Sequence, residues 1–240
     1  MLEENPYGTG PGNRAAFNQL SARGIATRWS PSTFRFSHDK YAVADHSIAL
    51  VGTANWTHSA FVNNREYLIE ENDQRVVKQL DALFEADWKR QTVRADDSRL
   101  VVSPQDSRTD FMALIGNARQ TIHVEAEEIQ DSQIESALVN AARRGVTVQV
   151  VLPQSAEARD PNAAGENVLK DGGVQVRQMA TPFIHAKVVA VDGQKAFIGS
   201  QNISKSSLDE NREVGILVED RSTVKRVEDT FNHDWSNGQH

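Results

Sequence analysis

Cysteine is absent from the 240 residues. Disulfide bonds and thiolate chemistry are therefore excluded, and any zinc site would depend on histidine and carboxylate ligands. No apolar run approaches the roughly 20 residues that cross a bilayer, and the amino terminus lacks the basic and then apolar pattern of a signal sequence. We therefore expect a soluble chain, and the sequence does not assign it to a compartment.

Positive charge is outnumbered, with 26 Lys and Arg residues against 33 Asp and Glu residues. The net charge of −7 opposes general attraction to a polyphosphate strand and makes nucleic acid the less favoured partner. Hydrophobic residues make up 39% of the chain and charged residues 25%, which is typical of a globular protein with a substantial core.

What the chain does contain is one polar pattern twice, with the copies 147 positions apart, as from residue 38 to residue 185. The first copy comprises His38, Lys40, Asp45, Gly52, Thr53 and Asn55. The second copy comprises His185, Lys187, Asp192, Gly199, Ser200 and Asn202. Such a pattern arises by chance roughly once in 10^8 starting positions, so the copies indicate a duplicated domain.

The duplication extends beyond these residues. Further pairs at the same spacing include Asn64/Asn211, Arg65/Arg212, Glu66/Glu213, Asp87/Asp234 and Trp88/Trp235. A period this long argues for two halves packed face to face and against a stacked array of small units. We predict a first repeat over residues 1–97 and a second over residues 98–240.

The first repeat has no counterpart of roughly Ser98 to Gln149, which predicts a helix, a strand, a second helix and part of another strand. A sheet without those strands leaves backbone groups unpaired and apolar surface uncovered. We therefore expect a further segment upstream of Met1. The alternative is a first repeat that is truly reduced.

Helical and strand patterns alternate along the second repeat. Apolar spacing predicts helices over 110–120, 132–144, 162–171 and 222–235, and strands over 121–125, 146–152 and 174–178. The second motif occupies a hairpin that turns at Asp192-Gly193, so His185 and Lys187 share one face of its first strand. The alternation predicts an α/β fold with a mixed sheet covered by helices.

Both polar patterns resemble the paired HKD motifs of the phospholipase D superfamily. The Asn-Arg-Glu segments at 64–66 and 211–213 match as well, so the resemblance covers nearly the whole chain. It implies two mixed sheets related by a pseudo-twofold axis and flanked by helices. One shared active site would lie between the halves, of which the first is shortened.

Two histidines suit phosphodiester cleavage, which needs a nucleophile on phosphorus and an acid for the departing alkoxide. The resemblance implies that His38 becomes a phosphohistidine and that His185 is the general acid and then the base. It also implies that Glu66 and Glu213, each 28 residues after the histidine of its own repeat, hydrogen-bond an imidazole and fix its tautomer.

Charge on the phosphoryl oxygens must be held by hydrogen-bond donors, because we expect no metal ion or other cofactor. The predicted phosphate-binding residues are Lys40, Lys187, Thr53, Ser200, Asn55 and Asn202. Asp45 and Asp192 stand at hairpin turns, where an Asp commonly caps its own turn, and we interpret them as supporting residues. The histidines without a counterpart are predicted to be incidental, namely His46, His58, His123, His233 and His240.

The resemblance predicts a phosphodiesterase of the phospholipase D type that cleaves or transfers phosphatidyl groups of a phospholipid at a membrane surface. The net negative charge favours a lipid substrate over nucleic acid. The likeness of residues 207–217 to bacterial phospholipase D and cardiolipin synthase relatives favours lipid as well. An HKD-type nuclease is the first alternative, because Asn55-Trp56-Thr57 is similar to that branch. An inactive binding fragment is the second, because part of the first repeat is missing. The oligomeric state is open.

Overall fold

The structure is a computed structural model that describes residues 1–4, 12–155 and 160–239. Its sheets are flanked by helices, which confirms the predicted α/β class. The described elements up to residue 97 are α1 (Arg14–Ala22), β1 (Tyr41–Ala44), β2 (Ile48–Gly52), α2 (His58–Val62), β3 (Asn64–Arg65), β4 (Leu68–Glu71) and α3 (Gln74–Lys89). Strands β1, β2 and β4 form an antiparallel three-stranded sheet in that order.

A larger sheet belongs to the rest of the chain. Its elements are β5 (Leu100–Ser103), α4 (Ser107–Gly116), β6 (Thr121–Ala126), α5 (Ser132–Arg143), β7 (Thr147–Pro153), α6 (Ala163–Asp171), β8 (Gln175–Met179), β9 (Phe183–Ile184), β10 (Lys187–Val191), β11 (Lys195–Gly199), α7 (Lys205–Asp209), β12 (Glu213–Val218) and α8 (Arg221–Asn237). Seven strands form a mixed sheet in the order β5-β12-β11-β10-β6-β7-β8. Strands β6, β7 and β8 are parallel, and the other pairs are antiparallel.

Helix α4 differs from its predicted bounds, since it covers Ser107–Gly116 and not 110–120. The Asp192 carboxylate accounts for the early end. It accepts the backbone N–H groups of Arg119, Gln120 and Thr121 at 3.0, 2.7 and 2.9 Å. These residues therefore already lead into β6 and cannot continue the helix.

Apolar side chains form a layer on each face of the seven-stranded sheet. On one face, α4, α5 and α6 pack through residues that include Phe111, Ile134 and Leu169. On the other face, α3 and the three-stranded sheet cover β5 and β12, while α8 covers β10 and β11. Helices α3, α4, α5, α6 and α8 each bury residues spaced three or four apart, as a helix with one apolar face does. Strand β10 is buried along its whole length, which fixes the segment that follows His185.

Two short backbone pairings join the repeats. Strand β3 runs parallel to β9, with Arg65 opposite Ile184. The equivalent bridge of the other repeat pairs Ser37 with Arg212, also in parallel. Each pairing ends one residue before a predicted site residue, so the two pairings determine which side chains of the halves meet.

Crossed ion pairs reinforce these junctions. Arg65 binds Asp234 of α8, with Nη2 2.7 Å from Oδ1. Arg212 binds Asp87 of α3, with Nη2 3.0 Å from Oδ1. In each pair the arginine comes from one repeat and the aspartate from the last helix of the other, so each repeat fastens the other's closing helix.

The repeats differ in how their central strands are flanked. Strand β10 pairs with β11 on one side and with β6 on the other, whereas its equivalent β1 pairs, among the described residues, with β2 alone. Helix α1 buries none of its residues, while its equivalent α6 buries Leu169. The upstream segment expected from the sequence remains a prediction.

Candidate active site

The candidate site is built from the residues that lead into β1 and β10. In each motif the lysine folds back onto the carbonyl oxygen of its own histidine. Lys187 Nζ donates to the His185 carbonyl at 2.7 Å, and Lys40 Nζ donates to the His38 carbonyl. Both lysines are buried, with 2% and 3% of their surface exposed. The two motifs therefore fix their ammonium groups in the same way.

Each histidine is oriented by a carboxylate from the other repeat. His38 Nδ1 hydrogen-bonds Glu213, with 2.9 Å to Oε2. His185 Nδ1 lies 2.8 Å from Glu66 Oε1, a close ion-pair contact that does not have hydrogen-bond geometry. The resemblance places a carboxylate against each imidazole, and the structure does so crosswise, not within one repeat.

The crossing follows from strand register. Because Arg65 lies opposite Ile184 in the β3–β9 pair, the next residues along the chains, Glu66 and His185, also lie side by side. The bridge between residues 37 and 212 does the same for His38 and Glu213. One residue of slip would turn each side chain to the opposite face.

The motif hydroxyls support the frame of the site. Thr53 Oγ1 donates to Glu66 Oε2 at 2.5 Å and accepts the Tyr67 N–H at 2.9 Å. Ser200 Oγ accepts the Val214 N–H at 3.0 Å. Both hydroxyl-bearing residues are fully buried. The hydroxyls of Thr53 and Ser200 therefore already have strand and carboxylate partners, and their assignment to the phosphate stays a prediction.

The motif asparagines are placed unequally. Asn55 Nδ2 lies 3.4 Å from His185 Nε2, so the first motif reaches directly into the second. Asn202 is buried, and its Oδ1 has no hydrogen-bond partner among the residues that the structure describes. Nearby, Asn64 and Asn211 donate to Glu66 and Glu213 at 3.2 and 2.9 Å. These amides hold the two orienting carboxylates in place.

Burial and clustered charge shift several pKa values in the site. Burial lowers the pKa of His38, and the opposing charge of Glu213 offsets only part of this. Burial also lowers the pKa of Lys40 to about 8, helped by the charge of Lys187. The influence of Lys187 on both groups of the first motif shows that the two motifs share one electrostatic environment.

Glu127 is a further residue of the site that the sequence did not reveal. It directly follows β6, and its Oε2 lies 2.6 Å from Lys187 Nζ and 3.5 Å from His185 Nε2. Burial opposes its ionisation, yet the charges of Lys187 and His185 lower the pKa of Glu127 to about 2. It lies in the stretch without a counterpart in the first repeat, so comparison of the repeats could not single it out.

The hairpin aspartates lie at the far ends of β1 and β10 from the histidines. Both have positive φ, 51° for Asp45 and 55° for Asp192, as turn residues do. Asp192 binds the backbone before β6, and Asp45 is exposed. Neither reaches the site, in line with a supporting role.

Two of the histidines predicted to be incidental have partners other than the motif histidines. His46 pairs with Asp81 at the surface, and His123 stacks on Phe231 and pairs with Glu228 at 2.5 Å. His240 lies outside the described residues.

Two further properties concern the described residues alone. Within 1–4, 12–155 and 160–239, no three His, Asp or Glu side chains are grouped so that they could hold a metal ion. Over the same ranges, no helix combines the length and apolar character needed to span a bilayer.

A family model described as the cardiolipin synthase, PLD-like domain matches residues 3–88 and 111–235. The chain belongs to the phospholipase D superfamily. Cardiolipin synthase 2 of Bacillus anthracis is 31% identical to it over 128 residues, which are 52% of this chain and 25% of that protein. Cardiolipin synthase of Listeria welshimeri is 30% identical over 136 residues, 54% of this chain and 28% of that protein. This phospholipase D superfamily member thus spans about a quarter of the length of these relatives.

Solved structures share the fold of this superfamily member. The phospholipase D family member Nuc from Salmonella typhimurium aligns with a TM-score of 0.56 at 24% identity, covering 59% of this chain and 95% of Nuc. Polyphosphate kinase from Porphyromonas gingivalis aligns with a TM-score of 0.72 at 17% identity, covering 93% of this chain and 37% of that protein. At these identities the likeness concerns the fold.

Proposed function

We propose that the chain catalyses phosphodiester exchange on phospholipids, transferring a phosphatidyl group to an alcohol or to water through a phosphohistidine. The observation that carries this proposal is the crossed pair of imidazoles, each with a carboxylate of the other repeat at its Nδ1. A carboxylate at Nδ1 keeps a proton on that nitrogen, so Nε2 is the atom available for attack or proton transfer.

His38 is the proposed nucleophile and His185 the proposed acid and base. In the first step a bond forms between His38 Nε2 and phosphorus while the bond to the leaving oxygen breaks, and His185 Nε2 protonates that oxygen. In the second step His185 takes the proton of an incoming hydroxyl, whose oxygen binds phosphorus as the P–N bond breaks. The lowered pKa of His38 supports this assignment, since attack requires the neutral imidazole.

Lys40, Lys187 and Asn55 are the proposed phosphate-binding groups. Both ammonium groups are anchored by the carbonyls of the motif histidines, so they need little reorganisation when charge develops on the phosphoryl oxygens. Fixed donors of this kind contribute about a hundredfold to a thousandfold each to rate. No proposed step passes through a metal ion.

Phospholipid is the proposed substrate class for two reasons. The curated relatives are cardiolipin synthases, whose name implies a phosphatidyl donor and acceptor. In addition, the net charge of −7 opposes electrostatic attraction to a nucleic-acid strand.

The test presents the purified chain, in chelator, with phosphatidylglycerol vesicles and separately with single-stranded DNA. We expect glycerol release with formation of cardiolipin or phosphatidic acid, and no DNA cleavage. His38→Ala and His185→Ala should each lose at least about 10^2–10^4-fold in rate, whereas His46→Ala, at the surface, should behave as the wild type.

Other results would point elsewhere. DNA cleavage that weakens steeply with added salt would support a nuclease. Absence of turnover on vesicles, DNA and a generic aryl phosphodiester would identify an inactive binding fragment.

A further inference from the structure

Glu127 is held in place by its backbone on both sides. Its N–H donates to the carbonyl of Ala186, the residue between His185 and Lys187, at 3.0 Å. Its own carbonyl accepts from Nδ2 of the buried Asn162 at 2.9 Å. The carboxylate is therefore presented to the site by a fixed strand end.

The site does not need this carboxylate to orient its imidazoles. Glu213 and Glu66 already occupy the Nδ1 positions of His38 and His185. Glu127 instead lies 3.5 Å from His185 Nε2, the nitrogen that exchanges a proton with the leaving or entering alcohol. Within the described ranges no carboxylate forms an ion pair with Lys40. The negative charge of Glu127 therefore lies on the His185 side of the site and has no counterpart on the His38 side.

An ionised carboxylate beside a phosphate site carries an electrostatic penalty, because it repels the phosphodiester and neutralises Lys187. A carboxylate this close to a bound phosphodiester points to a binding or catalytic purpose. A carboxylate accepts hydrogen bonds only, so the group it suits is a hydroxyl or an ammonium. The leaving or entering alcohol lies at His185, so a second hydroxyl or an ammonium of that alcohol is the donor that Glu127 would bind.

We propose that Glu127 determines acceptor specificity by binding a second hydrogen-bond donor of the alcohol that leaves or enters at His185. The favoured alcohols are those with a hydroxyl or ammonium next to the reacting hydroxyl, that is, vicinal diols and amino alcohols. When substrate binds, Lys187 keeps its hydrogen bond to the His185 carbonyl, a phosphoryl oxygen replaces Glu127 as its other acceptor, and the donor of the alcohol takes the place of Lys187 on Glu127. This inference rests on the proposed function, because it names the acceptor class of the same site.

The test measures how the phosphorylated enzyme divides between two acceptors. Bis(4-nitrophenyl) phosphate supplies the phosphoryl group, and equal concentrations of glycerol and 1-propanol compete for it. The ratio of glyceryl to propyl ester does not depend on how fast the intermediate forms. We expect the wild type to favour glycerol about tenfold or more, since a site built to bind a donor rejects an analogue that lacks it.

Glu127→Gln and Glu127→Ala should bring the ratio to within about threefold of unity, with ethanolamine losing its advantage in parallel. Glu128→Gln is the matched control. Glu128 is the neighbouring carboxylate and, among the described residues, has no ion pair with His185 or Lys187, so this variant should keep the wild-type ratio.

Every other outcome rejects either acceptor recognition by Glu127 or the proposed phosphodiesterase function. Without nitrophenolate release by the wild type, the proposed function fails. With release, a wild-type ratio near unity, a ratio unchanged in the Glu127 variants, or an equal fall in Glu128→Gln would reject acceptor recognition by Glu127. Complete inactivity of both Glu127 variants would assign the residue to support of Lys187 instead.

Discussion

The imidazoles of His38 and His185 stand in unequal surroundings, although their motifs are copies. His38, whose side chain is 29% exposed, lies near the ammonium groups of Lys40 and Lys187. His185 Nε2 has a carboxylate, Glu127, at 3.5 Å. Cationic neighbours favour a neutral nucleophile, whereas a nearby carboxylate gives an imidazolium a counter-charge. The surroundings thus distinguish the proposed roles, which the motif residues alone do not.

The first prediction concerns the acid side of the pH profile. Attack requires neutral His38, and because its pKa is lowered, kcat/KM should fall only below pH 6.5. Glu213→Gln removes a charge that raises this pKa, so the acid limb should move to still lower pH. The plateau rate should fall by about 10^2–10^4-fold, because the tautomer is no longer fixed. Aryl phosphodiester turnover across pH checks this, and an acid limb that moves upward would contradict it.

The second prediction concerns the alkaline side. The pKa of Lys40 is lowered to about 8, so its charge is lost as the pH rises through that value. Because phosphate binding needs the charged form, kcat/KM should decline above about pH 8. Lys40→Arg keeps its charge over this range, so with an aryl phosphodiester, whose leaving group needs little acid from His185, the decline should disappear even if the rate is lower. An unchanged decline in the Arg variant would show that another group causes it.

At the residue scale, the duplication of the motif supplied the strongest signal in the sequence. The two histidines, lysines and glutamates were predicted as site residues because each occurs at matched spacing, and the structure brings them together. Glu127 had no partner in the first repeat and was missed. For Thr53 and Ser200, spacing cannot tell a hydroxyl that faces a ligand from one that binds its own strand, and their place at the phosphate stays a prediction.

At the scale of elements, the parallel pairing of β3 with β9 determines the composition of the site. Each strand has only two residues, yet their register sets Glu66 against His185. The bridge at residues 37 and 212 does the same for the other pair. Short strands suffice because the buried sheets on either side leave them no freedom to slip.

The third prediction compares the two hairpin aspartates. Asp192→Ala should lower the free energy of unfolding by about 1–3 kcal/mol more than Asp45→Ala, because it deprives three backbone N–H groups of their acceptor. Both positions have φ between 50° and 60°, so the strain of Ala is the same in both variants. Urea unfolding of the two variants measures the difference. Equal losses would mean that the three hydrogen bonds contribute little.

Most helices and strands of the second repeat were predictable from the spacing of apolar residues and from turn-forming residues. Alternating apolar and polar residues predicted the β10–β11 hairpin with its turn at Asp192-Gly193, and apolar spacing predicted α5, α6 and α8 within a few residues. Helix α4 was misplaced because its end depends on Asp192, more than 70 residues away in sequence. A contact at that distance leaves no trace in a local pattern.

At the scale of the whole molecule, the repeats are fastened by exchanged ion pairs. Arg212 and Asp87 are buried, with 6% and 3% of their surface exposed, and the guanidinium also lies 4.1 Å from the ring centre of Phe34. Removing one partner of a buried pair strands the other charge in a region of low dielectric constant. The junction is thus sensitive to single substitutions.

The fourth prediction tests that junction. Asp87→Ala should lower the free energy of unfolding by about 3–5 kcal/mol, and the double variant Asp87→Leu/Arg212→Met should recover part of the loss. Asp229→Ala is the matched control, since it breaks the exposed pair with Lys225 and should cost about 0.5 kcal/mol or less. If Asp87→Ala costs no more than the control, the pair does not hold the repeats together.

The central claim is that one histidine from each repeat acts on a single phosphorus atom, with His38 attacking. The most direct measurement uses His185→Ala with bis(4-nitrophenyl) phosphate, whose good leaving group needs little acid assistance. We predict a burst of one nitrophenolate per chain, followed by slow turnover, and mass spectrometry after an alkaline quench should find the phosphoryl group on His38. A label on another residue, or full turnover in His38→Ala, would contradict the account.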